Sequence, residues 1–237
     1  MTEKKNSNGE VKLLGAWPSP FVIRARIALN IKSVEYDFIE ETFGKRSQLL
    51  LKSNPVNKQI PVLIHGHKCI AESMIIVQYI HEAWSSSGPP ILPSLPYDRA
   101  IARFWLTYID DKWFPPLKSI VLGLDTEPIE EKLEKVREGL VLLEDAFNKI
   151  SKGKDFFGGN QIGYLDIGFG SFLAWLKTVE VTEGVSLVHE TTTPGLAKWL
   201  QKFCAHDAVK DVLPPIDKLI AFSKMLRANV DLVINPK

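Results

Sequence analysis

The feature that most constrains this chain is a change of period near residue 90. Residues 85–96, SSSGPPILPSLP, are dense in serine, glycine and proline, and neither a helix nor a strand accommodates that composition. Before this stretch, short apolar runs alternate between strand and helix patterns. After it, every apolar run has helical spacing. On the N-terminal side, 11–15 (VKLLG) reads as a strand, and 20–32 sets Phe21, Ile23, Ile27, Ala28 and Ile31 at helical spacing. Residues 34–39 (VEYDFI) alternate as a strand, and 46–53 form a short helix stopped before Asn54-Pro55. Strands at 61–64 and 68–71 flank His65-Gly66-His67, a hairpin signal, and 73–84 is again helical. The last two strands are joined too tightly for a parallel crossover, so the sheet is mixed.

The C-terminal side offers helical periods over 97–114, 129–150, 166–179, 193–205 and 215–228. The expected fold class is therefore α/β plus all-α. A βαβαββα domain spans 11–86, a linker 87–96 and an all-helical domain 97–237. The polar segment 1–10 (MTEKKNSNGE) is expected to be a disordered tail.

At 237 residues and 45% hydrophobic content, the chain has material for one large or two small cores. Its 29 basic against 28 acidic residues leave a net charge of +1, which gives no general drive toward nucleic acid or anionic membranes. No apolar run approaches the ~18 residues of a membrane span. No signal-peptide core precedes residue 11, and Asn235-Pro236-Lys237 is no lipidation or peroxisomal signal. Cys69 and Cys204 are too few for a disulfide framework or a cysteine zinc site and suit a reducing compartment. A cytoplasmic protein is expected, with Cys69 buried and inert on its strand. His65 and His67 read as turn residues rather than metal ligands. No metalloprotease, nucleophile-elbow, Walker or dinucleotide motif is present, and no bound metal is expected.

Three local patterns can carry chemistry. In Trp17-Pro18-Ser19-Pro20-Phe21, serine is a favoured N-cap and proline loses no hydrogen bond at the first helical position. Ser19 thus sits at the positive end of a helix, just past a strand, where an anion such as a thiolate can be held. From the local pattern alone, a plain cap is the simpler reading. Ile60-Pro61 opens a strand, and its peptide bond is ordinarily trans. Glu72-Ser73 opens a helix: Ser73 can receive a carboxylate and Glu72 an ammonium group, or the pair is simply an acidic first turn.

Together these residues resemble the plant tau-class glutathione transferases from about Val11 to about Ala228. The resemblance is carried by Trp17–Phe21, Asn54-Pro55-Val56, Ile60–His65 (IPVLIH), Glu72-Ser73, Pro96–Ala100 (PYDRA), Ala102–Trp105 (ARFW) and Gly163–Ile167 (GYLDI). It implies a thioredoxin-like N-terminal domain, a helical C-terminal domain and a homodimer. Glutathione is then a co-substrate, and no cofactor is permanently bound. By resemblance Ser19 is the catalytic serine that donates to the glutathione thiolate. Ile60, before a cis Pro61, pairs with the cysteinyl part, and Glu72 and Ser73 hold the γ-glutamyl end. Arg46 and Gln59 face the glycine carboxylate. Ala16, Trp17, Phe21, Trp113 and Trp175 line the site of a hydrophobic electrophile. The implied activity is conjugation of such electrophiles, or glutathione-dependent reduction of organic hydroperoxides, in detoxification and stress responses. The alternative is a non-catalytic ligandin-type carrier. Thiol-transferase chemistry in related folds uses cysteine where this chain has Ser19.

One residue departs from the pattern: many tau-class chains carry lysine where this one has Gln59. Restoring it adds a charge-assisted contact to the glycine carboxylate. Gln59→Lys is expected to tighten glutathione binding by about 1 kcal/mol, roughly fivefold. Titration calorimetry of the two proteins checks this, and equal dissociation constants contradict it.

Overall fold

The computed structural model describes residues 9–230. Of the tail expected over 1–10, residues 1–8 lie outside the described residues, as do 231–237. The chain divides into two compact units that part between Gly88 and Pro89.

The first unit runs β1 (Val11–Gly15), α1 (Pro20–Ile31), β2 (Asp37–Glu40), α2 (Gln48–Ser53), β3 (Val62–His65), β4 (Lys68–Ala71) and α3 (Ser73–Ala83). This is the expected βαβαββα order. The four strands form one sheet in the order β2-β1-β3-β4. β1 is parallel to β2 and antiparallel to β3, and β3 is antiparallel to β4. Strand side chains alternate between faces. Leu14, Ile39, Val62 and Ile64 meet Leu50 of α2 on one face. Leu13 and Leu63, fully buried and paired in register, point to the other.

β2 is shorter than the alternation over 34–39 implies. The Val34 N–H donates to the Leu29 carbonyl, so the chain is still closing α1 there. The hairpin turn is made by Gly66 and His67. His65 instead ends β3, hydrogen-bonds Tyr79 at 2.8 Å and stacks on Trp84. Cys69 corrects the expectation of a buried thiol. It lies on the edge strand β4 and is exposed.

The second unit is helical. It contains α4 (Pro96–Tyr108), a π-helical turn (Ile109–Trp113), α5 (Phe114–Leu122), α6 (Ile129–Ser151), α7 (Tyr164–Gly170), α8 (Leu173–Glu183), α9 (Pro194–Ala205) and α10 (Ile216–Ala228). α5 escapes the sequence reading because Pro115-Pro116 looks like a breaker. Both prolines fall in the first turn of α5, where missing N–H groups cost little. The expected helix at 166–179 is two. Ser171 donates its hydroxyl to the Gly168 carbonyl and Phe172 N donates to Phe169 O at 3.1 Å, a tighter turn that separates α7 from α8. No described helix is long and apolar enough to cross a membrane.

Asp166 organises this unit. Its side chain is fully buried and accepts four N–H donors: Phe157 N and Trp199 Nε1 on Oδ1, Gly158 N and Gly163 N on Oδ2, all at 2.7–2.9 Å. Those donors come from the 156–159 turn, the start of α7 and the middle of α9. Burial pushes the carboxyl up to about 6, while the four donors pull it back down. The folded value exceeds the unfolded one, so the folded chain binds this proton more tightly. Its contribution to stability is therefore largest below about pH 4 and falls as pH rises to about 6.

Asp166→Asn turns an amide N–H₂ against two buried donors. An expected loss of about 2–5 kcal/mol follows from leaving such donors unpaired. Urea unfolding near neutral pH measures the loss. In the same assay the gap between wild type and variant should narrow as pH rises from 4 to 6.

Candidate functional site

The strand register decides which loops meet. Gly15 at the end of β1 lies beside Glu40 at the end of parallel β2. Leu14 pairs with Val62, the first residue of β3, and Val62 pairs with Ala71, the last residue of β4. The segments after β1, after β2, before β3 and after β4 therefore leave the sheet at one end. They carry Ser19, Arg46, Gln59-Ile60 and Glu72-Ser73 in that order.

Ser19 is the N-cap of α1, with φ −77° and ψ 117°, and its Oγ accepts from Val22 N at 3.4 Å. Its backbone N–H donates to Ala16 O at 3.1 Å, which closes the turn. Among the described residues its hydroxyl proton meets no acceptor, so the O–H can donate outward. α1 comes this close to β1 because residue 15 is glycine. A Cβ there would stand 2.5 Å from Val22 Cγ1.

The loop after β2 is held by Glu41. Its carboxylate is 8% exposed and accepts from Ser47 N at 3.1 Å and from Ser47 Oγ at 2.6 Å. Ser47 also caps α2, its Oγ accepting from Leu50 N at 3.0 Å. This closes residues 41–47 into a fixed loop, with half-buried Arg46 just before the cap.

The peptide bond between Ile60 and Pro61 is cis. Gln59 is exposed, and its carbonyl accepts from Asn54 Nδ2 at 3.0 Å. Glu72 is exposed in the left-handed region at φ 69°, and Asn57 Nδ2 donates to its Oε1 at 2.7 Å. Ser73 is the first residue of α3, and its Oγ accepts from the buried Arg24 guanidinium at 3.2 Å. The Ser73 hydroxyl proton is then left to donate. The segments that carry Ser19, Arg46, Gln59, Ile60, Glu72 and Ser73 thus all leave the sheet at one end.

The chain matches the family model "Glutathione S-transferase, N-terminal domain" over residues 9–82 and "Glutathione S-transferase, C-terminal domain" over 97–207. It is 54% identical to glutathione S-transferase U18 of Arabidopsis thaliana, over 92% of this chain and 96% of that protein. It is similar to the crystal structure of the tau-class glutathione S-transferase MiGSTU from mango, Mangifera indica. That likeness has 60% identity, a TM-score of 0.87 and coverage of 92% of this chain and 98% of that one. The chain is a tau-class glutathione transferase. Rice GST1 (OsGSTU1), solved in complex with glutathione, matches at 34% identity and TM-score 0.84, over 94% of this chain and 98% of that one.

The residues expected to line the electrophile site of this transferase divide. Ala16, Trp17 and Phe21 are half-buried around the Ser19 turn. Trp113 corrects the expectation: it is 1% exposed, donates Nε1–H to the Val136 carbonyl and packs edge-on to Phe169 and Phe172. An indole of that size filling a core has no face left for a ligand. Trp175 is also buried, at 6% exposure on α8.

The sequence reading missed Glu41, Arg24 and Asn57. Arg24 left a signal, a charge beside the apolar stripe of α1. Glu41 and Asn57 left none, because their partners Ser47 and Glu72 are found only in the fold.

Removing the Glu41 carboxylate frees both Ser47 donors and opens the 41–47 loop. Glu41→Ala is expected to cost about 1–3 kcal/mol. It should also expose Lys45 and Arg46 to trypsin at least severalfold faster, as read from the rate of appearance of the cleaved fragments.

Proposed function

We propose that this transferase binds glutathione across the shared end of the β1–β4 sheet and adds its sulfur to hydrophobic electrophiles. The observation that carries this reading is the convergence of four separate loops at that end, each bringing a group suited to one part of the tripeptide. Ser19 donates its free hydroxyl proton to the sulfur. Ile60 offers backbone groups to the cysteinyl residue. Glu72 takes the α-ammonium and Ser73 the α-carboxylate of the γ-glutamyl group. Arg46 and Gln59 stand at the glycine carboxylate. Ala16, Trp17 and Phe21, beside Ser19, give an apolar electrophile a surface near the sulfur.

The chemistry is a matter of thiolate supply. A free thiol with a pKa of about 8.5 is only ~3% ionised at pH 7. Lowering that value by about two units makes the thiolate the major form and takes ~2.7 kcal/mol of differential stabilisation. One hydroxyl donor contributes roughly half, and the positive end of α1 adds to it. Ser19 does this without losing a proton, because its cap bond uses an oxygen lone pair and not the O–H. Glutathione-dependent reduction of organic hydroperoxides draws on the same thiolate. A homodimer, a cytoplasmic location and a part in detoxification and stress responses belong to the same reading and are supported by the tau-class relationship.

The test is the pH–rate profile with glutathione and a chloronitrobenzene for wild type and Ser19→Ala. Wild type is expected to show an inflection well below that of free glutathione. The variant's inflection should rise by about one unit, with a rate near pH 6.5 lower by roughly fivefold. A wild type that binds ligand without turnover would instead support the carrier reading.

A further inference from the structure

Asn57 stands in the loop between α2 and β3, and no sequence motif assigns it a role. Its backbone N–H donates to Asn54 Oδ1 at 3.2 Å, and its side-chain Nδ2 donates to Glu72 Oε1 at 2.7 Å. The amide orientation is dictated by the partner, since a carboxylate can only accept. Asn54, 5% exposed, anchors the same loop: its Nδ2 donates to Gln59 O at 3.0 Å, and Lys58 N donates to its carbonyl at 2.8 Å. The loop that carries Gln59 and Ile60 is thereby tied through Asn57 to Glu72, across the β3–β4 hairpin.

Glu72 needs such a tie. It is exposed, its backbone is held at φ 69°, and among the described residues Asn57 is the only hydrogen-bond partner of its carboxylate. A non-glycine residue in that region stores strain of the kind that collects at ligand sites. An exposed glutamate would otherwise sample several rotamers. A hydrogen bond to a charged acceptor is among the stronger ones, and it holds one oxygen while leaving Oε2 open.

We propose that Asn57 is a positioning residue for glutathione. Its carboxamide fixes the Glu72 carboxylate so that Oε2 meets the α-ammonium of the γ-glutamyl group. It also couples that contact to the loop bearing Gln59 and Ile60. The proposal rests on the reading of Glu72 as the ligand of that ammonium.

The experiment compares wild type and Asn57→Ala with glutathione and with its deamino analogue, which lacks only the α-amino group. Alanine keeps the backbone N–H to Asn54, so the loop retains its own closure. Asn57→Ala is expected to weaken glutathione binding about three- to tenfold. It should leave kcat at saturating glutathione within twofold and the KM for the electrophile unchanged. For the deamino analogue the two proteins should bind alike, and in a Glu72→Ala background Asn57→Ala should cost nothing more. Equal losses on both ligands, a loss that persists without Glu72, or no loss on glutathione would each overturn the role of Asn57. Equal binding of glutathione and its deamino analogue by wild type would overturn the reading of Glu72 itself.

Discussion

The pairing of β1 with a parallel neighbour on one side and an antiparallel one on the other governs the first unit. A parallel partner continues in the same direction, so the chain leaves β1 and β2 at the same end. An antiparallel partner starts where β1 finishes, so β3 begins there, and β4 returns to it. Four chain passages are brought together by backbone hydrogen bonds before any side chain at the site has acted. The apolar residues Leu13, Leu14, Val62 and Leu63, all fully buried, hold that register. A slip by one residue would turn each of them to the wrong face.

Polar groups then fix what the register has gathered. Glu41 closes one loop on Ser47, Asn54 closes another on Gln59, and Arg24 reaches Ser73 from inside the unit. The helical unit uses the same device more heavily. Asp166 takes four donors from three segments of sequence and is buried completely. A carboxylate buried that deeply is tolerable only because each lone-pair direction is occupied.

How much of this could be read in the sequence follows from the range of each interaction. Element order was legible because apolar period is local, and Ser19 because its cap spans only three residues. The extra helix at Phe114–Leu122 was not, because proline breaks a helix or begins one according to its place in the first turn. The sequence places Trp113 on a ligand surface, but whether an aromatic residue lines a cavity or fills a core depends on distant partners such as Val136 and Phe169. The exposure of Cys69 is not legible in its strand pattern, because a strand's place at edge or centre is decided by which strands pair, and β4 has no neighbour on its outer side among the described residues. Glu41 and Asn57 act on groups brought near only by folding.

The π-helical turn between α4 and α5 carries a consequence for chain length. Phe114 N–H reaches back five residues to the Ile109 carbonyl, so this stretch holds one residue more than an α-helix would need. Deleting a single residue within 109–113 would restore ordinary winding and leave α5 facing the same way relative to α4, because the wide turn already absorbs the extra residue. Leu117, Ile120 and Val121 would keep their place in the core, whereas a deletion inside α5 ahead of them would turn all three by about 100°. The helical unit is therefore more tolerant of a one-residue deletion within this turn than within the α-helices on either side of it.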